Sequence, residues 1–337
     1  MAWYNENGKM TDTVVSTRVR LARNLVGYPF PSALQSTSAN ELIEKVSSPL
    51  EEIGFRKINF SDISAIMATS YVERHYVSPS FASIEGPHAL FLQEKPDLSV
   101  MVCEEDHLRI QSILPGFDPE SAYQKALETE QRLDREFDFA FDEELGYLTH
   151  CPTNLGTGMR VSVMMFLPAL SAASCIGSLS IQLAKLGLTL RGSFGEGSGS
   201  FGGLYQISNR RTLGYTEEEL IRSLSEAVIQ ISERERRARK SVRGEALEKL
   251  TDRIKRSEGT LRYAYLLSGK ELIRLLSDLR LGISLGIVQG IRQEQLTSLL
   301  VEGMPATLTL SSENTPRNES SREKLRAQKV QSVLLGG

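Results

Sequence analysis

The chain changes character near Gly214, and this change limits the architectures that it can adopt. Before that point, short apolar runs such as Leu98–Val102 are separated by loops rich in glycine and proline, with helical segments such as 120–137 between them. Short runs divided by turns are typical of strands in an antiparallel sheet. Beyond it, Thr216 and Glu219 form a capping-box pattern that begins a long helix, and helical spacing then dominates. The sequence predicts an α+β fold, an antiparallel β-sheet flanked by helices, followed by an all-helical C-terminal domain.

The composition is that of an ordinary globular protein and excludes several classes. The 337 residues are 40% hydrophobic and 24% charged, with a net charge of -3, and the sequence pI is near 6.0. This balance argues against a nucleic-acid-binding protein. The three cysteines are too few and too scattered for a disulfide framework or a zinc site, which favours the cytoplasm. The longest apolar run, 161–170, is too short to span a bilayer, and the N-terminus has no signal-peptide layout, so no membrane association is expected.

Arginine is concentrated in the stretch Ser16-Thr17-Arg18-Val19-Arg20-Leu21-Ala22-Arg23-Asn24, behind Val14 and Val15. Successive side chains of a strand point to opposite faces, so Arg18 and Arg20 are expected on the same face. Two permanently charged guanidinium groups aimed at one place need a polyanion. In a protein of this overall charge, the phosphate chain of a nucleotide is the small polyanion that fits best.

A second group of charges, Cys103-Glu104-Glu105-Asp106-His107-Leu108-Arg109-Ile110, directly follows the apolar run 99–102, which is predicted to be a buried strand. Carboxylates, an imidazole and a guanidinium are costly to place together beside a core unless they pair with one another or act on a ligand. A surface loop of self-satisfied ion pairs is the alternative interpretation of this segment.

A third segment runs from Thr149 to Arg160 and leads into an apolar strand. Its glycines and small hydroxyl residues permit a ligand to approach the backbone closely, and nearby positive charge would favour a thiolate at Cys151. Cys151 can equally be a small buried apolar residue. As a covalent nucleophile it would need a base, and in an extended segment His150 points to the opposite face.

The fourth segment is the glycine-rich stretch from Arg191 to Gly203. Gly197, Gly199 and Gly202 satisfy the G-x-G-x-x-G pattern, but a strand rather than a helix is predicted after it, which argues against a dinucleotide fold. A loop that closes over a substrate or phosphates fits these residues, and a plain flexible hairpin is the alternative. No Walker A sequence and no His-Arg-Asp loop are present.

Together these segments supply the two kinds of charged group that phosphoryl transfer requires, cations and carboxylates. Guanidinium groups come from Arg18, Arg20, Arg109, Arg160 and Arg191, while glutamates from two of the same segments supply carboxylates. In sequence order the four motifs resemble the signatures of the phosphagen kinase (ATP:guanido phosphotransferase) family, over roughly residues 14–244.

Within that family the chain most resembles the bacterial protein-arginine kinases. Only thirteen residues precede Val14, where kinases of free creatine or arginine carry a helical domain, and a helical extension of more than ninety residues follows. The resemblance implies an N-terminal extension at 1–13, a catalytic domain at 14–244 and a helical domain at 245–337 that serves dimerisation and phosphoarginine recognition. The allosteric phosphoarginine element of the family, Arg-Asp-x-x-Arg-Ala, matches Arg322, Glu323, Arg326 and Ala327, with Glu for Asp.

Carried over position by position, the resemblance implies a nucleotide site and catalytic residues. Glu105 is expected to be the leading catalytic carboxylate, which orients the acceptor guanidinium and takes its proton. Cys151 is expected to act electrostatically beside that guanidinium, and Glu196 to be a second catalytic carboxylate. The residues implied for ATP are Ser16, Thr17, Arg18, Val19, Arg20, His75, Arg109, Arg160, Val161, Ser162, Val163, Met164, Arg191, Gly192, Ser193, Phe194, Gly195 and Glu196. Mg²⁺ is expected to be held mostly by phosphate oxygens and water.

The implied function is ATP-dependent phosphorylation of arginine side chains in proteins, linked to stress regulation and Clp-type proteolysis. Implied partners are proteins with exposed arginines, a zinc-binding activator protein, a Clp ATPase or protease, and a second copy of the chain. Cys103, Gly199 and Glu323 depart from the family pattern, with Gly199 replacing a carboxylate. Two alternatives therefore stay open: a kinase of a small guanidino metabolite, and a catalytically weak regulator that binds phosphoarginine or nucleotide.

Overall fold

A large antiparallel sheet forms the centre of the protein. The computed structural model describes residues 2–193, 202–312, 316 and 318–335. Within these residues, eight strands pair in the order β2-β3-β4-β5-β1-β8-β10-β9, and β6 and β7 form a separate hairpin. The strands are β1 (Val14–Arg23), β2 (Phe55–Asn59), β3 (Ala89–Gln93), β4 (Leu98–Val102), β5 (Leu108–Pro115), β6 (Phe141–Asp142), β7 (Gly146–Tyr147), β8 (Met159–Phe166), β9 (Leu188–Gly192) and β10 (Leu204–Asn209). The predicted antiparallel sheet is confirmed.

Strand β1 lies near the middle of the sheet, between β5 and β8. Its register shifts between Val14 and Ser16, which marks a β-bulge. A bulge inserts one residue and so reverses the alternation of faces. For this reason Val14 and Val19, five positions apart, both join the same hydrophobic core, and the residues between them can present Arg18 to the other face.

Helices pack against one face of the sheet and form with it the first of two hydrophobic cores. The elements that contribute buried residues to it include α1 (Ser36–Glu52), α4 (Pro119–Asp134), α6 (Ile176–Lys185) and α7 (Glu217–Ser241). Helix α7 begins at the capping box of Thr216 and Glu219 that the sequence predicts. Apolar residues at helical spacing along α7, such as Leu224 and Val228, are fully buried against the sheet.

The C-terminal helices pack against part of the opposite face. They are α8 (Gly244–Tyr263), α9 (Gly269–Ser284), α10 (Gln293–Glu302), α11 (Pro305–Leu310) and α12 (Glu319–Leu335). The second core joins these helices to Trp3, Val15, Phe166 and Leu204, and it also includes residues of α2 (Ala65–Glu73) and α3 (Pro79–Ala82). The helix α5 (Pro168–Ala172) follows β8. The helical domain therefore leaves only a portion of this sheet face open.

The basic residues in the later half of α7 are not a uniform solvated face. Arg239 is buried, pairs with Glu235, and donates to the carbonyl oxygens of Asp12 at 2.9 Å and Phe166 at 3.0 Å. Arg239 is shielded from solvent because the N-terminal segment and β8 pack over that side of the helix.

Among the described helices, none combines the length and the apolar composition that crossing a bilayer requires.

Candidate active site

Four arginine side chains meet on the open part of the sheet. In the antiparallel register Arg18 lies opposite Ser162, Arg20 lies opposite Arg160, and Ala22 lies opposite Arg109. Residues directly opposite each other project to the same face, and so do residues two apart along β1. The predicted shared face of Arg18 and Arg20 is thus present, and neighbouring strands bring Arg109 and Arg160 to it.

These arginines repel one another in the absence of an anion. Burial, followed by the charges of Arg160 and Arg109, lowers the pKa of Arg18 to about 10. Burial and the same neighbours, with Arg18, hold the pKa of Arg20 well below its ordinary value. The Nε atoms of Arg20 and Arg160 are buried without a hydrogen-bond partner among the described residues. Orphaned donors on crowded cations fit a polyanionic ligand such as a triphosphate.

Two cavities are lined by these arginines and their neighbours. The first, of about 310 Å³, is lined by Ser16, Arg18, His75, Ile113, Ser162, Met164, Arg191, Gly192, Ser193 and Gln206. The second, of about 340 Å³, is lined by Arg20, Ala22, Ser78, Ser80, Glu105, Arg109, Cys151, Thr153, Asn154, Gly158 and Arg160. Most of the residues implied for the nucleotide therefore line one cavity or the other.

Several of the implied residues do not reach the cavities with their side chains. Val19, Val161 and Val163 belong to the core on the other side of the sheet. Thr17 is buried, and its hydroxyl donates to the carbonyl oxygen of Gly116 at 2.7 Å. Strand alternation explains these positions, since every second residue of a contiguous motif faces away. The implied residues Phe194, Gly195 and Glu196, and also Gly199, lie outside the described residues.

His75 occupies a special position at the rim of the first cavity. Its backbone is left-handed, with φ of 64°, which is uncommon for a residue other than glycine. Gln111 fixes this conformation by donating to the His75 carbonyl oxygen at 2.9 Å, and the His75 ring lies 5.9 Å from the Trp3 ring. Burial, and then the charge of Arg18, lowers the pKa of His75 from 6.5 to about 4. His75 is therefore neutral at pH 7.

The lowered pKa of His75 predicts a pH-dependent loss of stability. Between pH 6.5 and about 4 the unfolded chain binds more protons at His75 than the folded chain does. Acidification through this window should lower the free energy of unfolding by about 1–3 kcal/mol through this residue. Urea unfolding at pH 7 and pH 4 should show this loss in the free energy of unfolding for the wild type and not for His75→Asn. Asparagine is chosen because it tolerates the left-handed backbone. An equal pH dependence in both proteins would contradict the assignment.

The carboxylates after β4 sit in a tight turn that leads into β5. Cys103 has a φ of 62°, and its backbone N–H donates to the carbonyl oxygen of His107 at 2.9 Å. Asp106 is fully buried and accepts hydrogen bonds from the Asn24 side chain at 2.7 Å and the His150 backbone N–H at 2.8 Å. The His107 ring accepts from the Leu25 backbone N–H at 3.0 Å. Asp106 and His107 thus shape the turn, and the two glutamates are left to face the cavities.

Glu104 and Glu105 both contact Arg109 but differ in environment. Glu104 is buried, forms an ion pair with Arg109, and accepts hydrogen bonds from the hydroxyls of Ser78 and Ser80, the latter at 3.2 Å. Glu105 lies 3.1 Å from Nη2 of Arg109, with 39% of its side chain exposed. The accessible carboxylate is therefore Glu105, as the sequence implies. The role of Ser78 in holding Glu104 was not predicted, because a serine before a proline signals only a helix start.

Cys151 lies where it can act beside Glu105. Its Sγ is 3.1 Å from the Thr153 hydroxyl, and it lines the second cavity with Arg20, Arg109 and Glu105. His150 instead contacts Ser32 at 3.1 Å and stacks near Phe30, on a different cavity. No histidine base therefore accompanies Cys151 within the described residues, which agrees with an electrostatic rather than a covalent role.

The three cysteines should react differently with an alkylating agent. Burial raises the pKa of Cys103 to about 12, whereas Cys151 and Cys175 are partly exposed. Iodoacetamide should therefore modify Cys151 and Cys175 in the folded protein, and Cys103 only after unfolding. ATP should slow the modification of Cys151 several-fold and leave Cys175 as an internal control. Peptide mapping that finds Cys103 labelled at the rate of Cys151, or no protection of Cys151, would count against this geometry.

The other side of the two glutamates opens into a third cavity of about 350 Å³. Its lining includes Glu85, Glu104, Glu105, His150 and Ser32, so carboxylates dominate its charge. Glu105 borders both this cavity and the arginine-lined second cavity. A cation that enters the third cavity can thus approach the carboxylate that faces the phosphate side.

Comparisons with known proteins agree with this geometry. Residues 38–238 match the ATP:guanido phosphotransferase C-terminal catalytic domain, which is more than half of the chain. The chain belongs to the ATP:guanido phosphotransferase family. Residues 247–336 match the C-terminal domain of the protein-arginine kinase McsB. This family assignment carries with it the use of ATP and a divalent metal ion in general. The unpaired donors of Arg20 and Arg160 are suited to the phosphate oxygens of ATP.

Curated relatives extend along the whole chain. The protein-arginine kinase of Syntrophomonas wolfei is 40% identical over 345 residues, covering 100% of this chain and 96% of the relative. The protein-arginine kinase of Moorella thermoacetica is 39% identical over 343 residues, covering 99% of this chain and 97% of the relative. Among solved structures, a duplicated taurocyamine kinase of Schistosoma mansoni with transition-state-analogue components has a TM-score of 0.62 at 27% identity, covering 78% of this chain and 39% of that one.

The four residues that the resemblance implies for phosphoarginine recognition, Arg322, Glu323, Arg326 and Ala327, differ in environment. Arg326 is 3% exposed and donates to the carbonyl oxygens of Gly303 and Leu267, each at 2.8 Å. The Leu267 backbone N–H in turn donates to the Glu323 carbonyl oxygen at 3.2 Å. Ala327 is buried, while Arg322 is half-buried. Arg326 thus ties α12 to two loops, and of the two arginines Arg322 is the more accessible.

Proposed function

We propose that this protein is an ATP-dependent protein-arginine kinase, which transfers the γ-phosphoryl group of ATP to arginine side chains of proteins. The observation that carries the proposal is a row of guanidinium groups on one sheet face that ends at Glu105 and Cys151. Phosphoryl transfer requires cations that hold the phosphates and a carboxylate that aligns the nucleophile. The names of the near-full-length relatives support a protein-bound arginine as the acceptor.

In the proposed arrangement the first cavity holds the nucleoside and the second holds the phosphates. Neutral His75 with Ile113 and Met164 offers a largely apolar wall to a base. Arg20, Arg109 and Arg160 line the second cavity, where the phosphates would lie, and Arg18 lines the first. Bound ATP supplies the phosphoryl group, with Mg²⁺ as the proposed divalent ion, held mostly by phosphate oxygens and water. The guanidinium groups neutralise the charge that spreads over the transferred group.

Glu105 is the proposed catalytic base. The acceptor guanidinium is protonated at neutral pH and a poor nucleophile, so a carboxylate must orient it and accept one of its protons. The accessible side chain of Glu105 can do this from the border of the second and third cavities. Glu104 is less suited to this role, because it is buried, Ser78 and Ser80 both donate to one of its oxygens, and Arg109 pairs with the other.

The third cavity is the proposed path by which a substrate arginine enters. Its carboxylates, Glu85, Glu104 and Glu105, complement a guanidinium group. A cationic side chain would thus be drawn toward Glu105 while its main chain stays at the surface.

The resemblance to bacterial protein-arginine kinases supports further parts of the proposal. Phosphorylation would mark proteins for a Clp-type ATPase and protease or silence a stress repressor in the cytoplasm. A zinc-binding protein would act as activator. The helical domain would mediate a homodimer and recognise phosphoarginine through Arg322, Glu323, Arg326 and Ala327, and Glu196 would assist Glu105.

A comparison of acceptors tests the proposed function. The purified chain with ATP and Mg²⁺ would be offered an unfolded protein rich in arginine, or free arginine at the same guanidinium concentration. We expect ADP release and phosphoarginine only with the protein. Turnover of free arginine alone would identify a small-guanidino kinase. Tight ATP binding without transfer to either acceptor would identify a regulatory binding protein.

A further inference from the structure

One short segment, from Glu73 to Ser80, joins the helical domain to both halves of the candidate active site. Its first residue, Glu73, ends α2 and accepts hydrogen bonds from the backbone N–H groups of Ala306 at 3.0 Å and Thr307 at 2.7 Å. The Thr307 hydroxyl donates to the same carboxylate at 2.8 Å. Both oxygens of Glu73 are therefore engaged by the first turn of α11.

Further contacts fix this junction from both sides. The Thr307 hydroxyl also lies 3.1 Å from the Ser70 hydroxyl, one turn earlier in α2, and the pair is buried. The Trp3 indole N–H donates to the Arg74 carbonyl oxygen at 3.1 Å. Carboxylates that accept backbone N–H groups at a helix start are favoured by both the hydrogen bonds and the helix dipole. The end of α2 is thus held by the helical domain.

The active-site residues follow within a few positions. His75, two residues after Glu73, lines the first cavity in its left-handed conformation, and Gln111 holds the carbonyl oxygens of His75 and Tyr76 at 2.9 and 3.2 Å. Ser78 and Ser80 then hold Glu104, the buried partner of Arg109. A displacement at Glu73 would therefore reach the nucleotide cavity and the Glu104–Arg109 pair.

We infer that Glu73 is a positioning residue through which the helical domain sets the geometry of the nucleotide site. Glu73 touches neither cavity, and its effect passes through His75 and Ser78. The inference rests on the proposed function only for the catalytic readout, since nucleotide binding can be measured independently. It assigns to α11 a role in catalysis in addition to packing.

The chain offers a control with the same kind of backbone contacts at Glu235, although Glu235 also forms a buried ion pair with Arg239. The Glu235 carboxylate accepts hydrogen bonds from the backbone N–H groups of Ala169 at 3.0 Å and Leu170 at 2.9 Å, at the start of α5. It is also buried. No residue of the three cavities lies in α5 or within two positions of Glu235. A purely structural effect of losing such a carboxylate should therefore appear at both sites.

The test compares Glu73→Gln with Glu235→Gln in the full chain, well below both melting temperatures. We expect Glu73→Gln to weaken ATP binding and to lower kcat/KM, each by about tenfold to a hundredfold, since small misplacements of positioning groups have effects of this size. Glu235→Gln should lower the melting temperature only. Glu73→Asp should recover part of the loss in ATP affinity.

Several outcomes separate a positioning role from a structural one. If Glu73→Gln has a lower melting temperature but the same ATP affinity and kcat/KM as Glu235→Gln, the inference is wrong. If Glu73→Gln fails to fold, Thr307→Val, which removes a single hydroxyl donor to Glu73, takes its place with the same readouts. A wild type that binds ATP but phosphorylates no arginine would defeat the proposed function, while the ATP affinities would still decide the role of Glu73.

Discussion

Replacing Glu105 with glutamine should reduce kcat for arginine phosphorylation by about 10²- to 10⁴-fold, the range found for general acid–base groups. The amide keeps the size of the side chain and can still accept one hydrogen bond from the substrate. It cannot take the proton that must leave the guanidinium as the N–P bond forms. ATP affinity should change little, because the arginines rather than Glu105 hold the phosphates in the proposed arrangement.

A matched variant separates this effect from the loss of an exposed ion pair. Glu136 pairs with Arg132 at 2.8 Å in an i,i+4 contact with half of its side chain exposed, much as Glu105 pairs with Arg109. Glu136→Gln removes a comparable surface pair far from the cavities, and such pairs contribute little to stability. Its kcat should match the wild type. Wild-type turnover by Glu105→Gln would show that another group accepts the proton.

Replacing Arg20 with methionine should have opposite effects on ATP binding and on stability of the ATP-free protein. The Nε of Arg20 is buried without a hydrogen-bond partner among the described residues, and the half-buried side chain lies near the cations of Arg18, Arg109 and Arg160, with Glu104 as the nearby opposite charge. Removing this cation should raise the melting temperature of the ATP-free protein by about 2–6 °C. ATP affinity should fall roughly 30- to 4,000-fold, equivalent to about 2–5 kcal/mol for a buried charge contact.

Arg23, on the same strand, provides the contrasting control. It is 1% exposed, pairs with Glu130 at 2.6 Å, and donates to the carbonyl oxygens of Ala22 at 2.7 Å and Thr157 at 3.0 Å. Arg23→Met should therefore destabilise the protein by about 3–5 kcal/mol, because Glu130 is left buried and unpaired. Melting curves of both variants with and without ATP check the pair. If ATP-free Arg20→Met melts at a lower temperature than the wild type, the proposal that Arg20 is a phosphate ligand without a structural role is contradicted.

The sequence predicts those parts of the fold that depend on neighbouring residues. The strand β1 with its cationic face, the capping box of Thr216 and Glu219, and the strand after the glycine-rich loop all follow from local pattern, and all are present. The same kind of local signal is present at α9, where the Ser268 hydroxyl accepts a hydrogen bond from the Glu271 backbone N–H at 3.2 Å. The spacing of apolar residues and the hydrogen bonds of helix caps involve only a few neighbouring residues, so they can be predicted without the tertiary structure.

The parts that escape prediction depend on contacts between distant segments. Glu104 and Glu105 are adjacent and chemically identical, yet Ser78 and Ser80 bury one and leave the other accessible. Arg239 has the same local sequence character as exposed arginines near it, and only packing against β8 makes it structural. A motif also cannot tell which of its residues face the ligand: Val19 lies within the arginine motif but points into the core.

The central claim is that this site phosphorylates arginine side chains in proteins. The most direct test incubates the wild type and Glu105→Gln with γ-labelled ATP and an unfolded arginine-rich protein, and then locates the label by mass spectrometry. We predict an acid-labile label on arginine residues with the wild type and almost none with the variant. A protein substrate that stays unlabelled, or a label that is acid-stable and lies on serine or threonine, would contradict the account.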